Sequence, residues 1–247
     1  MYNNKTVSVI LPTYNEKDSI KKVIEDFYSI EEVDEVIVIN NNAAEGTSEE
    51  VAQTKAIEII EPRQGYGSAI MCGFREAHGD YIAVCEPDDT FCAKDIIKLL
   101  SYIEDVDIVY GSRTVEEFIW KGANMGFGIK WGNWGVAKIM EVLFNTNCLT
   151  DVGCTFRIVK KDVINEMLPS LKITSNFFGP EMMIQGFKMK LTSVQIPVNY
   201  KERVGVSSVT GDIKKAIVLG FQMLLLIFAK RFRLEKVFFR KYYKCNL

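Results

Sequence analysis

The sequence predicts an α/β fold: a mostly parallel central sheet with flanking helices on both faces, plus a C-terminal amphipathic helix of different character. Three observations predict it. Short apolar runs alternate with stretches of helical periodicity over the first hundred residues. Of 247 residues 48% are apolar and 25% charged, enough for one substantial core and incompatible with disorder. No internal period runs through the 17 Gly and 6 Pro, which excludes a collagen-like or repeat chain.

Each element has its own local reason. Val7-Ser8-Val9-Ile10-Leu11 is an apolar run closed by Pro12, the pattern of a buried strand. Between Lys17 and Tyr28, Ile20, Val23, Ile24 and Phe27 fall on one helical face. Val36–Ile39 is a second buried strand, followed by helical residues around Ser48–Thr54 and a strand at Ala56–Ile60. Gly67–Ala77 reads as helix, Tyr81–Cys85 as strand, Lys94–Ile103 as helix and Ile108–Tyr110 as strand. Strands alternating with helices imply parallel pairing, with ligands at the carboxyl ends of the strands. The middle, Thr114–Asn147, is rich in Gly and Trp, with one helix expected near Val136–Phe144 and a mobile acceptor-side loop around it. Helices from Lys161 to about Leu168 and around Pro180–Gly186 precede a strand pair, Leu191–Ile196 and Val198–Tyr200.

The tail carries a charge asymmetry. Residues 212–247 hold nine Lys or Arg against two Asp or Glu, whereas the other 211 hold 21 against 30. An acidic body with a basic tail points to an anionic partner. Ala216–Ala229 is an uncharged stretch bracketed by Lys214 and Lys215 before it and Lys230, Arg231 and Arg233 after it. At ~1.5 Å per residue it reaches roughly 21 Å, short of the ~30 Å hydrocarbon core. These features favour a helix lying in the membrane interface over a buried or oligomer-forming helix or a true span. Six Cys with no CxxC pair and a single His78 give neither a zinc set nor a disulfide framework, and read as reduced thiols. The polar N-terminus enters a strand at once, so no signal peptide is expected.

The strongest chemical signal is Glu86-Pro87-Asp88-Asp89, directly after the strand Tyr81–Cys85. Crowded carboxylates repel one another unless a cation sits among them. Oxygen ligands without His or Cys suit Mg2+ or Mn2+ bridged to substrate phosphates. A plain acidic turn leading into the next helix is the alternative.

Four motifs in register add to this: Ser8 to Glu16, Asn40 to Thr47, Arg63-Gln64-Gly65-Tyr66-Gly67-Ser68-Ala69, and the acidic cluster. Over roughly residues 6–208 the chain resembles the family 2 glycosyltransferases of the GT-A fold, and among them the dolichyl- or polyprenyl-phosphate sugar synthases. The resemblance implies a Rossmann-like domain over 1–211, with a nucleotide-sugar half to about 113 and an acceptor half beyond it. Residues 212–247 are left as a basic, apolar membrane-interface tail. Pro12, Tyr14 and Glu16 match the family's first nucleotide-contacting loop. Asn40 and Asn41 match the base-contacting pair, with Asn40 standing where Asp is usual, while Gly65 and Gly67 let the backbone approach the nucleotide. Asp88 is the first choice of metal ligand and Glu86 the second, with Asp89 capping or bracing the loop. Arg113 lies near the diphosphate, and Asp151 and Arg157 match a Thr-Asp-x-x-x-x-Phe-Arg segment of the acceptor half. Arg203, with Gly205 and Ser207, matches the late loop that closes over the phosphates; Ser208 replaces a Lys usual there, so part of the phosphate clamp is either missing or supplied by Lys201.

The implied reaction is inverting transfer of a sugar from a nucleotide-sugar donor to a polyprenyl phosphate. Asp88, Arg113 and Arg203 supply or hold positive charge where the leaving diphosphate gains negative charge, and Asp151 positions the acceptor. A lipid phosphate is already an anion, whereas a saccharide or protein hydroxyl acceptor needs Asp151 as a base. A third alternative is a non-catalytic nucleotide-binding relative. A nucleotidyltransferase lacks support, since no Gly follows the first strand until Gly46. The expected partners are a nucleotide sugar, a polyprenyl phosphate and an anionic membrane surface on the cytoplasmic side. No nucleic acid is expected, and a homo-oligomer stays open.

Overall fold

Strand β1 (Val7–Thr13) is buried along its whole length, as a strand covered on both faces must be. Its side chains alternate, and the alternation divides the core. Val7, Val9 and Leu11 join Phe27 and Leu99 on one side, while Ile10 joins Phe74 and Phe178 on the other. Full burial of one such aliphatic side chain is worth about 1.5–3 kcal/mol relative to exposure, so two continuous layers hold the sheet from both faces.

The computed structural model describes residues 1–146, 149–205 and 213–234. Within them β1, β2 (Glu35–Asn40), β3 (Ile57–Ile60), β4 (Tyr81–Val84), β5 (Ile108–Ser112), β6 (Arg157–Lys160) and β7 (Ser193–Pro197) form one sheet. Its order is β3-β2-β1-β4-β6-β5-β7. β6 runs antiparallel to β4 and β5, and the other pairs are parallel. Helices α1 (Lys17–Tyr28), α2 (Thr47–Ala52), α3 (Tyr66–Glu76) and α4 (Ile96–Ile103) follow the expected alternation. The buried face of α1 is made of Ser19, Ile20, Val23, Ile24 and Phe27, the last four being the stripe predicted.

The second half departs from expectation in four places. β6 is not marked in the sequence, because Arg157-Ile158-Val159-Lys160 holds only two apolar residues between two cations. Val198–Tyr200 is not a strand; Tyr200 makes only isolated bridges, to Phe91 and Ile119. Helix α5 spans Phe127–Phe144, eighteen residues, and so fills much of the segment expected to be a mobile loop. Its glycines argue locally against helix at about 1 kcal/mol each. Tertiary packing overrides them, with α5 lying against α8 (Ile213–Arg231).

The fourth departure is the tail. α8 does not lie apart from the domain: Met223, Leu226, Ile227 and Ala229 are buried, the first three in the core with α7 (Phe178–Lys188). Ile217, Val218 and Phe221 stay on the outer face. Among the described residues no helix is long and apolar enough to cross a membrane. Helix α6 (Lys161–Met167) completes the elements used below. Cys72, Cys85, Cys92 and Cys154 are free thiols, while Cys148 and Cys245 lie outside the described residues.

Candidate active site

A cavity of about 1240 Å³ opens at the carboxyl ends of the strands. Pro12, Thr13, Tyr14 and Glu16 line it after β1, Glu86 and Pro87 after β4, and Arg113 after β5. Its far wall is α5 and α8, through Phe127, Trp131, Ile217 and Phe221. One end is therefore charged and the other apolar.

Burial and charge define the floor. Asp88 is 1% exposed and lies behind the lining residues. Its Oδ1 accepts from the Thr90 amide at 3.0 Å and the Thr90 hydroxyl at 2.6 Å. Its Oδ2 has no aligned hydrogen bond, and the nearest cation is Arg203, whose Nη1 stands 2.9 Å away. The other end of the Arg203 guanidinium donates to Glu16 Oε1 at 3.0 Å. Burial, and then the Asp88 charge, push the Glu86 carboxyl up to about 8, against the pull of Arg203 and Arg113. Asp89 braces the loop as expected, since its carboxylate takes Lys22 at 3.0 Å and Lys201 at 2.6 Å. Lys201 is thereby committed to the loop.

Two carboxylates, one with a buried oxygen that meets Arg203 without an aligned hydrogen bond, fit a hard divalent cation that keeps further positions for phosphate oxygens. The described residues hold no group of three or more His, Cys, Asp or Glu that could bind a metal without such help.

Arg113 and Asp151 form the second charged unit. The guanidinium grips the carboxylate at two points, Nε to Oδ2 at 2.8 Å and Nη2 to Oδ1 at 3.0 Å. The Arg113 amide and the Gly153 amide complete the carboxylate at 3.0 and 2.9 Å. Burial would raise the Asp151 carboxyl, but the Arg113 charge and hydrogen bonds overcome it and hold it below its ordinary 3.8. Arg113 also lies over the Tyr200 ring, 5.2 Å from its centroid. Gln195 on β7 fixes this segment, its side-chain oxygen taking the Thr150 and Asp151 amides at 2.6 and 3.0 Å. Nothing in the local sequence marks Gln195; only the β5–β7 pairing brings it there.

The other predicted residues divide. Glu16 lines the cavity, but its Oε2 holds the Tyr14 and Asn15 amides, both at 2.8 Å. Asn41 is at the wall and clamps the following loop: its oxygen takes the Gly65 amide at 2.7 Å and its amide nitrogen reaches Glu61 O and Arg63 O, each at 2.8 Å. Asn40 is not brought to the cavity. Its amide donates to Glu58 at 2.8 Å and Ser48 at 3.1 Å, and its oxygen takes the Ala43 amide at 2.8 Å. Gly65 lines the cavity, but the close approach both glycines permit is by the chain's own backbone. A Cβ would stand 2.3 Å from Thr174 O at Gly65 and 2.2 Å from Ile173 O at Gly67. Arg157 is buried at the wall and donates to the carbonyls of Cys154, Thr155 and Gly179. Ser207 and Ser208 lie outside the described residues.

Comparison with known proteins follows the same lines. The model of the family described as "Glycosyl transferase family 2" matches residues 8–168. A low-salt glycan biosynthesis hexosyltransferase, Agl6 of Haloferax volcanii, is 28% identical over 205 residues, covering 81% of this chain. The chain spans about half of that relative's length, 49%. An undecaprenyl-phosphate mannosyltransferase of Micrococcus luteus is 23% identical over 218 residues, 84% of this chain and 88% of the relative. Glucosyl-3-phosphoglycerate synthase of Mycobacterium tuberculosis, solved with Mn2+, UDP-glucose and phosphoglyceric acid, shares the fold at TM-score 0.70 and 17% identity. That likeness covers 92% of this chain and 80% of the synthase.

Proposed function

This chain belongs to glycosyl transferase family 2, and from that premise we propose that it transfers a sugar from a nucleotide-sugar donor to a polyprenyl phosphate at a membrane surface. The observation that carries the reading is the two-ended cavity: a charged floor of Glu86, Asp88, Arg203 and Arg113 faces a wall of α5 and α8. That wall continues outward as exposed apolar side chains, with Phe127 81%, Ile217 67% and Phe221 61% exposed. Soluble surfaces seldom gather such residues unless they meet a partner. A lipid phosphate with a long apolar chain matches both ends at once. The mannosyltransferase relative is named for the same class of acceptor.

The residues suit a single displacement with inversion. Glu86 and Asp88 would hold a divalent cation, Mg2+ or Mn2+, which supplies Lewis-acid stabilisation to the leaving diphosphate. Arg203 lies where it can exchange Asp88 for a phosphate, and Arg113 adds fixed positive charge nearby. Preorganised donors of this kind lower the barrier because they need no reorganisation as charge develops. Asp151 faces Arg113 with both oxygens, and its lowered proton affinity makes it a poor base. An acceptor that is already an anion needs none.

The test is transfer from a panel of nucleotide sugars, with Mg2+ or Mn2+, to undecaprenyl phosphate in vesicles. A glycolipid is expected. Transfer only to a soluble hydroxyl acceptor, or none at all, overturns the acceptor assignment.

A further inference from the structure

The buried ion pair between α7 and the C-terminal helix lies away from the floor of the cavity, yet it connects to the cavity's edge by direct hydrogen bonds. Lys230 Nζ donates to Glu181 Oε1 at 2.7 Å, with the two side chains 5% and 1% exposed. The second oxygen, Oε2, accepts from the backbone amides of Lys172 at 3.0 Å and Ile173 at 2.7 Å. The next carbonyl, Thr174 O, accepts from the amides of Gly67 at 2.8 Å and Ser68 at 3.3 Å, the first turn of α3. On the opposite side, Asn41 Oδ1 holds Gly65 N and Gln64 Nε2. The loop Gln64–Tyr66, which lines the cavity beside Pro12 and Tyr14, is thus suspended between Asn41 and a strap that Glu181 anchors.

We propose that Glu181, held by Lys230, is a positioning residue for this donor-side loop, so that seating of the C-terminal helix sets how tightly the chain grips a nucleoside diphosphate. The inference rests on the donor reading above. Its physical basis is that the strap and the loop leave each other no slack. Gly67 leaves no room for a Cβ beside Ile173 O, and its amide bonds to Thr174 O, so residues 172–174 and the start of α3 are joined backbone to backbone. Without Lys230 the Glu181 carboxylate is an uncompensated buried charge. A buried carboxylate that has lost its cation does not keep this seat, and its hold on the Lys172 and Ile173 amides weakens.

Hydrogen exchange on the full chain tests this. Lys230→Met should speed exchange at the Gly67 and Ser68 amides by about tenfold, in keeping with the loss of one charge-assisted hydrogen bond. The amides of α4, in the core layer on the other face of the sheet, should stay as they were. Titration with GDP and UDP in the presence of Mn2+ should show binding weakened by a similar factor, and Lys230→Arg should restore both readouts. Should Lys230→Met fail to fold, Glu181→Asp, shorter by one methylene, is read in the same way. Unchanged exchange at Gly67 and Ser68, or equal acceleration across α4, overturns the proposal. If neither nucleotide binds the unaltered chain, the donor reading fails, while the exchange measurement still decides the role of Glu181.

Discussion

Arg203 stands between Glu16 and Asp88, 3.0 and 2.9 Å from their oxygens, and its charge is what makes the Asp88 burial tolerable. Two opposite effects of Arg203→Ala follow. Turnover should fall ~10²–10³-fold through loss of a donor to the developing diphosphate charge. Mn2+ binding without nucleotide, followed by electron paramagnetic resonance, should tighten, because a competing cation has left Asp88. Tightening that fails to appear would mean that Arg203 does not compete for Asp88. Asp151 supports a pH prediction. Its carboxyl is held below 3.8 in the folded chain, so it contributes stability in full above that value. The contribution is lost as pH falls through the depressed value, since the unfolded chain then binds the extra proton. Asp151→Asn should cost about 3–5 kcal/mol at neutral pH, because Arg113 is left buried and unpaired. The gap in melting temperature between variant and parent should narrow below about pH 4. A gap that persists into acid would place its origin elsewhere. The acidic cluster with Asp88 was read from residue type and its place after a strand, whereas Arg113 and Arg203 were named through the family resemblance; the fold brings Arg203 to Asp88. Asn40 was misplaced because its partner Glu58 sits on the neighbouring strand, a contact made only by the β2–β3 register.

At the scale of elements, glycines separate two kinds of constraint. Gly67 starts α3 against the Ile173 carbonyl, whereas a Cβ at Gly135 in α5 meets nothing within 4 Å. Gly67→Ala should therefore destabilise by about 1–3 kcal/mol through overpacking. Gly135→Ala should stabilise by about 0.5–1 kcal/mol through lost backbone entropy in the unfolded chain. Chemical denaturation of both variants checks the contrast, and equal effects would refute it. The same comparison explains why α1 was readable and α5 was not. α1 has a clean apolar stripe facing the core. In α5 the clearest stripe, Phe127, Trp131, Trp134 and Val142 at helical spacing, faces outward, and the glycines between break the pattern that marks a helix start.

For the molecule as a whole, that outward stripe and the outer face of α8 flank one cavity mouth. Trp131 packs edge-on against Trp134 at 5.7 Å, and Lys138 lies over Trp134 at 5.7 Å, an arrangement suited to the headgroup region. Replacing Trp134 and Val142 by Ser should weaken flotation with anionic vesicles by at least about tenfold, given ~1.5–3 kcal/mol per large apolar side chain. Transfer to a short, water-soluble prenyl phosphate should be little affected. Equal losses on both acceptors would make the stripe part of the catalytic unit rather than a membrane contact.

The alternating periodicities were enough to predict a mostly parallel sheet and to put the acidic cluster directly after β4, because strands, helices and the residues that follow them are set by neighbours close in sequence. Only the folded chain decided the rest. It turned β6 antiparallel, drew the tail helix into the core through Leu226 and Ile227, and paired Asp151 with Arg113 and Lys230 with Glu181. Those partners lie 38 and 49 residues apart. Local patterning cannot choose among distant charges, because which of them lose water together depends on how the two core layers close.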